Sequence, residues 1–220
     1  MDHAQAAHIL ASLAGLPPPP SERPFRPFLR KLRLDPEAPL LRAKKIRPDT
    51  ARAFEVGAWH GRGMLAGCVA FRLRDPLGRP VGYAGRRTDT DQVHRRGKWV
   101  FPPRLPKGEL LYGFFQAGSW LDRGLVVVEC AWSVLRLAQL DVRAVALLGT
   151  HLSPTQRNLL LRASRIVVMM DGDPAGRRAA DRLRRQLPGA TAIVDLPDGC
   201  DPDDLPDAHL VQLLHPHLPS

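Results

Sequence analysis

The sequence predicts an α/β protein, α+β over its whole length, in which a parallel sheet flanked by helices is preceded by a smaller basic subdomain with antiparallel strands. Three observations carry this. From residue 125 onward, apolar strand-like runs alternate with helical stretches in the order βαβαβαβ, which implies parallel strands joined by right-handed crossovers. Upstream, CVAFRLRD and RPVGYAG flank Pro76-Leu77-Gly78 as the two arms of a β-hairpin do. Basic residues also concentrate in that upstream region. The chain then divides into an N-terminal helix and Pro-rich linker (1–43), a basic subdomain (44–124), the parallel α/β domain (125–205) and a C-terminal tail (206–220).

The elements follow in order. MDHAQAAHILASLAGL, residues 1–16, lacks a positive leader and is too short to span a bilayer, so it reads as a small surface helix. LPPPPSERP, residues 16–24, cannot hold a helix or a central strand and reads as a linker. A short helix is expected over 44–54 with Pro48 near its first turn, and flexible glycines then lead into the hairpin. Asp75, Pro76 and Gly78 suit positions i, i+1 and i+3 of a type I turn. LVVVE (125–129) is a buried strand, and the helix after it places Val134, Leu137 and Ala138 on one face; AVALLG (144–149) is the second strand. Ser153 as cap, Pro154 at the first helical position and Gln156 three residues after the cap spell a capping box. RIVVMM (165–170) is the third strand. Asp173-Pro174 opens a helix with Ala179, Ala180, Leu183 and Leu187 inward and Arg177, Arg178, Arg182, Arg184 and Arg185 mostly outward, and ATAIVDL (190–196) is the fourth strand.

An apolar content of 44% over 220 residues is enough for a real core without external staples. Cys68, Cys130 and Cys200 are odd in number and far apart, which argues against a disulfide framework and a Cys-rich zinc site and fits a reducing cytoplasm. No transmembrane run is present. The net charge of +10 points to a polyanionic partner, because each phosphate neutralised releases condensed counterions. Between residues 86 and 107, seven basic residues (Arg86, Arg87, Arg95, Arg96, Lys98, Arg104, Lys107) face two acids (Asp89, Asp91), so half the net charge occupies a tenth of the chain.

In an open parallel sheet, ligands bind beyond the carboxyl ends of the strands. That rule selects Glu129 after the first strand, Asp171 and Asp173 after the third, and Asp201, Asp203 and Asp204 shortly after the fourth. Carboxylates crowded on one edge repel and raise one another's pKa unless a divalent cation neutralises them, and an all-oxygen ligand set favours Mg²⁺ or Mn²⁺ over zinc. Taken singly, each residue has a plainer reading. Asp173 before Pro174 suits a helix N-cap, Glu129 a solvated strand end, Asp201 to Asp204 a polar turn, and the arginines of the last helix a solvated face. His151, His209, His215 and His217 have no metal-ligand spacing.

Five segments carry a resemblance to the Toprim family, in the form found in bacterial DnaG-type primases. MMDGDPAGRRAA resembles DGDxAGxxA at Asp171, Gly172, Asp173, Ala175 and Gly176; GCDPDDL resembles GxDPDxL at Gly199, Asp201, Pro202, Asp203 and Leu205. ALLGTHLSPTQ resembles the GTxLT/S loop at Gly149, Thr150, Leu152 and Ser153, and GRPVGYAGR places Gly85 and Arg86 on a segment ending in GGR. GKWVFPPRLPKGELLYG is similar to KYxNxPET…FxKGxxLYG at Lys98, Pro102, Lys107, Gly108, Leu111, Tyr112 and Gly113. The likeness covers residues 44–205. It departs from the EGxxD pattern at the first motif, where Glu129 is kept but Cys130 replaces the glycine and Ser133 the aspartate.

The resemblance implies a metal-dependent DNA primase, a nucleotidyltransferase of DNA replication that makes short primers on single-stranded DNA from nucleoside triphosphates. Glu129, Asp171 and Asp173 would be catalytic; these three with Asp201 and Asp203 would hold Mg²⁺ or Mn²⁺. Arg86, Arg87, Lys98 and Lys107 would meet template or nucleotide. On this reading no zinc-binding domain precedes the core and no helicase-binding domain follows it, so template choice and coupling to a helicase or other replication protein come from elsewhere. A Toprim nuclease and a catalytically weakened, primase-derived nucleic-acid-binding accessory protein are the alternatives, the latter because of Cys130 and Ser133.

Overall fold

The computed structural model describes residues 24–118, 124–149, 151–187 and 191–218. The expected N-terminal helix, nearly all of the Pro-rich linker and Thr150 lie outside them. Among the described residues two short helices come first, α1 (Pro39–Ala43) and α2 (Pro48–Ala53), with Pro48 in the first helical turn. The single helix expected over 44–54 therefore starts later, because Lys45 adopts a left-handed φ of 56° that no helix continues through.

An antiparallel sheet follows, in the order β1 (Val56–Ala58), β2 (Cys68–Arg74), β3 (Pro80–Arg87), β4 (Trp99–Val100). The β2–β3 hairpin forms where alternation placed it, pairing Phe71 with Ala84. Its turn closes by donation from Gly78 N to Asp75 O at 2.9 Å, while Asp75 Oδ1 accepts from the amides of Leu77 and Arg79. Gly78 takes φ +82°, open to glycine at little cost. Helix α3 (Thr90–Arg96), capped by Asp89, links β3 to β4.

The second sheet runs β5 (Leu111–Tyr112), β7 (Ala144–Leu147), β6 (Leu125–Val128), β8 (Ile166–Val168), β9 (Thr191–Ile193). The last four are mutually parallel, as the βαβ pattern required; β5 adds an antiparallel edge on β7 that two residues of sequence do not announce. Among the described residues, four helices belong to this half besides the short α4 (Phe114–Ala117): α5 (Ala131–Ala138), α6 (Pro154–Leu160), α7 (Pro174–Gln186) and α8 (Asp207–Leu214). The last lies where only a tail was assigned. Ser153 caps α6 through the full capping box, and Gln156 is buried with its Nε2 donating to Lys107 O and Leu110 O.

Strand alternation sorts the sheet's two faces. On β6, Val126 and Val128 join a core with α5 and α8, whereas Leu125 and Val127 join one with α6 and α7. The antiparallel sheet packs into the first of these cores. Phe71 of β2 meets Trp132 of α5 edge-to-face, with centroids 4.8 Å apart, and also contacts Tyr112 and Trp99. The buried Arg136 ties α5 to α8 by donating to Leu205 O and pairing with Asp207. Because the chain moves from β6 to β7 on one side and then to β8 on the other, the ends of β6 and β8 form a topological switch point, where a crevice opens for a ligand.

Candidate active site

Glu129 follows β6 at that switch point, and Asp171 and Asp173 follow β8 beside it. A backbone clamp brings in the acids of the next loop. Gly172 N donates to Cys200 O at 2.8 Å, and Gly199 N donates back to Gly172 O at 2.8 Å. A Cβ on Gly172 would stand 2.1 Å from Pro197 O, so only glycine allows this approach. Gly172→Ala is expected to cost about 1–3 kcal/mol, the usual penalty of forced overpacking, read as a lower urea midpoint at unchanged slope. An unchanged midpoint would show that the loop is not clamped there.

The acids perturb one another. Burial first, then the charge of Glu129 and the charge and hydrogen bond of Asp201, pushes Asp171 up to about 8. Its Oδ1 is buried without a hydrogen-bond partner. Asp201 is raised by burial and by the charges of Asp203 and Asp204, against the pull of Asp171 and Lys44. Glu129 is exposed overall, yet partial burial of its carboxyl and the charges of Asp173 and Asp201 raise it too, with Lys98 opposing. Asp173 also serves the fold by capping α7, where its Oδ1 accepts from Gly176 N at 2.6 Å. The plainer reading of that residue, a helix N-cap, thus holds.

Asp203 is placed differently. It is 3% exposed, and its Oδ2 takes the ammonium of Lys44 at 2.5 Å while its Oδ1 accepts from Ser133 Oγ at 3.2 Å. Cys130 Sγ lies 3.4 Å from Ser133 Oγ and 3.8 Å from Asp203 Oδ1, its thiol pushed up to about 12 by burial and then by Asp203. Asp204 Oδ1 is 3.6 Å from the same ammonium. Sequence reasoning missed Lys44, and no local signal marks it, since its partner lies 159 residues away.

The basic residues divide as well. Arg86 is half-buried near Cys130 and Cys68, its Nη1 donating to Arg87 O at 2.8 Å, with burial lowering its pKa. Arg87 Nη1 is spent on the carbonyls of Arg96, Gly97 and Trp99, which fixes β4 and the turn before it. Lys98 is exposed, and its charge reaches Glu129. Lys107 Nζ lies 3.6 Å from the centroid of Phe101, whose ring stacks with Trp99. Arg177, read as one of a solvated face, donates to Gly172 O and Asp198 Oδ1 and braces the acidic loop.

Among the described residues, no three His, Cys, Asp or Glu side chains already stand at metal-ligand separations. The donor chemistry nevertheless fits a hard divalent cation: all candidates are oxygens, burial and neighbouring acids raise Glu129, Asp171 and Asp201, and Asp171 presents an orphaned oxygen. Within this geometry, residues 126–206 match the family model described as Toprim-like. The chain carries a Toprim-like domain. Around it, the chain is 37% identical over 150 residues to the DNA primase of Salmonella typhimurium, an alignment covering 62% of this chain and 25% of that protein. The chain thus spans about a quarter of the length of the curated primases it matches. The Toprim-like domain and its antiparallel neighbour together align with the Aquifex aeolicus primase zinc-binding and RNA polymerase domains (TM-score 0.71, 26% identity, 81% of this chain, 54% of the other). The DnaG primase catalytic domain bound to single-stranded DNA shares the fold (TM-score 0.67, 24% identity, 83% of this chain, 73% of the other). Among the described residues no helix is long and apolar enough to cross a membrane.

Proposed function

We propose that this chain is a primase-type nucleotidyltransferase core that joins nucleotides into short primers on single-stranded DNA in the cytoplasm, using Mg²⁺ or Mn²⁺. One observation carries the reading: Glu129, Asp171 and Asp201 converge at the switch point with no basic side chain paired to them among the described residues, next to a surface bearing Lys98. Glu129, Asp171 and Asp201, with Asp173, would hold the metal, which when bound supplies neutralisation of charge on the reacting phosphates. Lys98, Lys107 and Arg86 would bind template or nucleotide phosphate, and the Trp99–Phe101 pair offers aromatic faces for bases. In the reaction the primer 3′-hydroxyl attacks the α-phosphate and pyrophosphate leaves. Glu129, whose carboxyl is raised above its ordinary value by partial burial and by Asp173 and Asp201, would take the hydroxyl proton.

The test is incubation of the purified chain with single-stranded template and labelled NTPs or dNTPs. Short products that require Mg²⁺ or Mn²⁺ and disappear with a chelator are expected. A second reading, a non-catalytic nucleic-acid-binding accessory protein, is favoured by the neutral Cys130 and Ser133 and by the pairing of Asp203 with Lys44. Salt-sensitive DNA binding without products under any metal would select it. Under either reading, Lys98→Ala should weaken binding across sequences alike and reduce the salt slope by about 1. An unchanged slope would remove Lys98 from the interface.

A further inference from the structure

The acids of this site fall into two groups that the sequence does not distinguish. Glu129, Asp171 and Asp201 have no ion-pair partner among the described residues. Asp203 and Asp204 share a cation that belongs to the chain itself, the Lys44 ammonium, 2.5 Å and 3.6 Å away. Asp203 is 3% exposed, and its second oxygen is occupied by Ser133 Oγ at 3.2 Å with Cys130 Sγ at 3.8 Å. A compact ammonium with three donors can satisfy a buried carboxylate as a metal ion does, without coordination. Neither neighbour offers another charge, since Ser133 is an alcohol and Cys130 a buried thiol.

We infer that Lys44 occupies a second cation position, so that this site takes one divalent ion, held by Glu129, Asp171 and Asp201, rather than the pair common in two-metal phosphoryl-transfer sites. This inference rests on the metal-dependent reading above. Lys44 is placed to do this by α1, whose last turn it follows, and by the left-handed Lys45, which turns the chain toward α2. The device is intramolecular and permanent: the charge that balances Asp203 stays in place when metal is removed. A second divalent ion would have to displace a buried ion pair and find ligands beyond Asp203, and the side chain at 133 supplies only a neutral oxygen.

The experiment counts bound Mn²⁺ by electron paramagnetic resonance of the free ion during titration of the metal-free chain. One ion per chain is expected for the wild type. Ser133→Asp alone should keep one, because Lys44 remains. Lys44→Ala combined with Ser133→Asp should bind two, since it removes the ammonium and adds a carboxylate beside Asp203. Two ions on the wild type, or one on the double variant folded by circular dichroism, would overturn the inference. If the double variant does not fold, the wild-type count decides alone. No bound ion on the wild type would instead remove the metal-dependent reading, and this inference with it.

Discussion

Lys44→Ala is expected to lower the stability of the metal-free fold by about 3–5 kcal/mol, the range found when one partner of a buried ion pair is removed. The side chain of Asp203 is 1% exposed and that of Lys44 30%, so the carboxylate bears the loss: it is left in the interior without its counter-charge. What remains around it is the Ser133 hydroxyl and the Cys130 thiol, and two neutral donors do not replace a full charge. Burial alone lowers the Lys44 pKa, but the hydrogen bond and charge of Asp203, with Asp204, outweigh it and raise it above the ordinary value. A raised ammonium stabilises the fold fully below the unfolded-state pKa of 10.5, and that contribution is lost as pH rises through the higher folded value. Urea denaturation at pH 7 measures the effect, and Asp203→Asn in the Lys44→Ala background should recover much of it. A loss under about 1 kcal/mol would mean that the pair behaves as an exposed surface bridge.

How much of this was legible follows the range of the interactions. Capping of α6 by Ser153 and of α7 by Asp173, and the Asp75–Gly78 turn, are closed within four residues, and the sequence states them outright. The parallel order of β6 to β9 is also readable, because apolar runs separated by helices leave a chain few other ways to bury them. The strand-end rule alone selected Glu129, Asp171, Asp173, Asp201, Asp203 and Asp204 for one edge of the sheet. Asp203 shows the limit of that rule. It places a residue on an edge but not its neighbours, and Asp203 went to Lys44 through a contact spanning 159 positions. Arg87 shows the same limit from the basic side: clustered charge suggested phosphate, whereas one of its guanidinium nitrogens is bound to three backbone carbonyls. Charge counts cannot separate an arginine that braces a turn from one that waits for a ligand.

Asp171→Asn should act in opposite directions on activity and on metal-free stability. Asp171 brings the strongest drive for a cation to the site, because it combines burial, the charges of Glu129 and Asp201, and a buried oxygen without a partner. An amide keeps the shape but removes the charge, so primer synthesis should fall on the order of a hundredfold or more, equivalent to at least about 2.7 kcal/mol of transition-state stabilisation. The same change relieves repulsion when no metal is bound. A carboxyl whose folded pKa stands near 8, against an ordinary 3.8, favours the fold fully only below the unfolded value, and that contribution is lost as pH rises through 8. Wild-type stability in a chelator should therefore decline between about pH 4 and pH 8, whereas Asp171→Asn should decline less and melt higher at pH 8. Saturating Mn²⁺ should reverse the order at pH 8, since only the wild type gains a full ligand. Thermal melts of both proteins at pH 5 and pH 8, with chelator and with Mn²⁺, give the comparison. Equal melting points at pH 8 in the chelator would show that the carboxylates do not crowd as described, because crowding is what makes an uncharged residue at 171 the more stable choice.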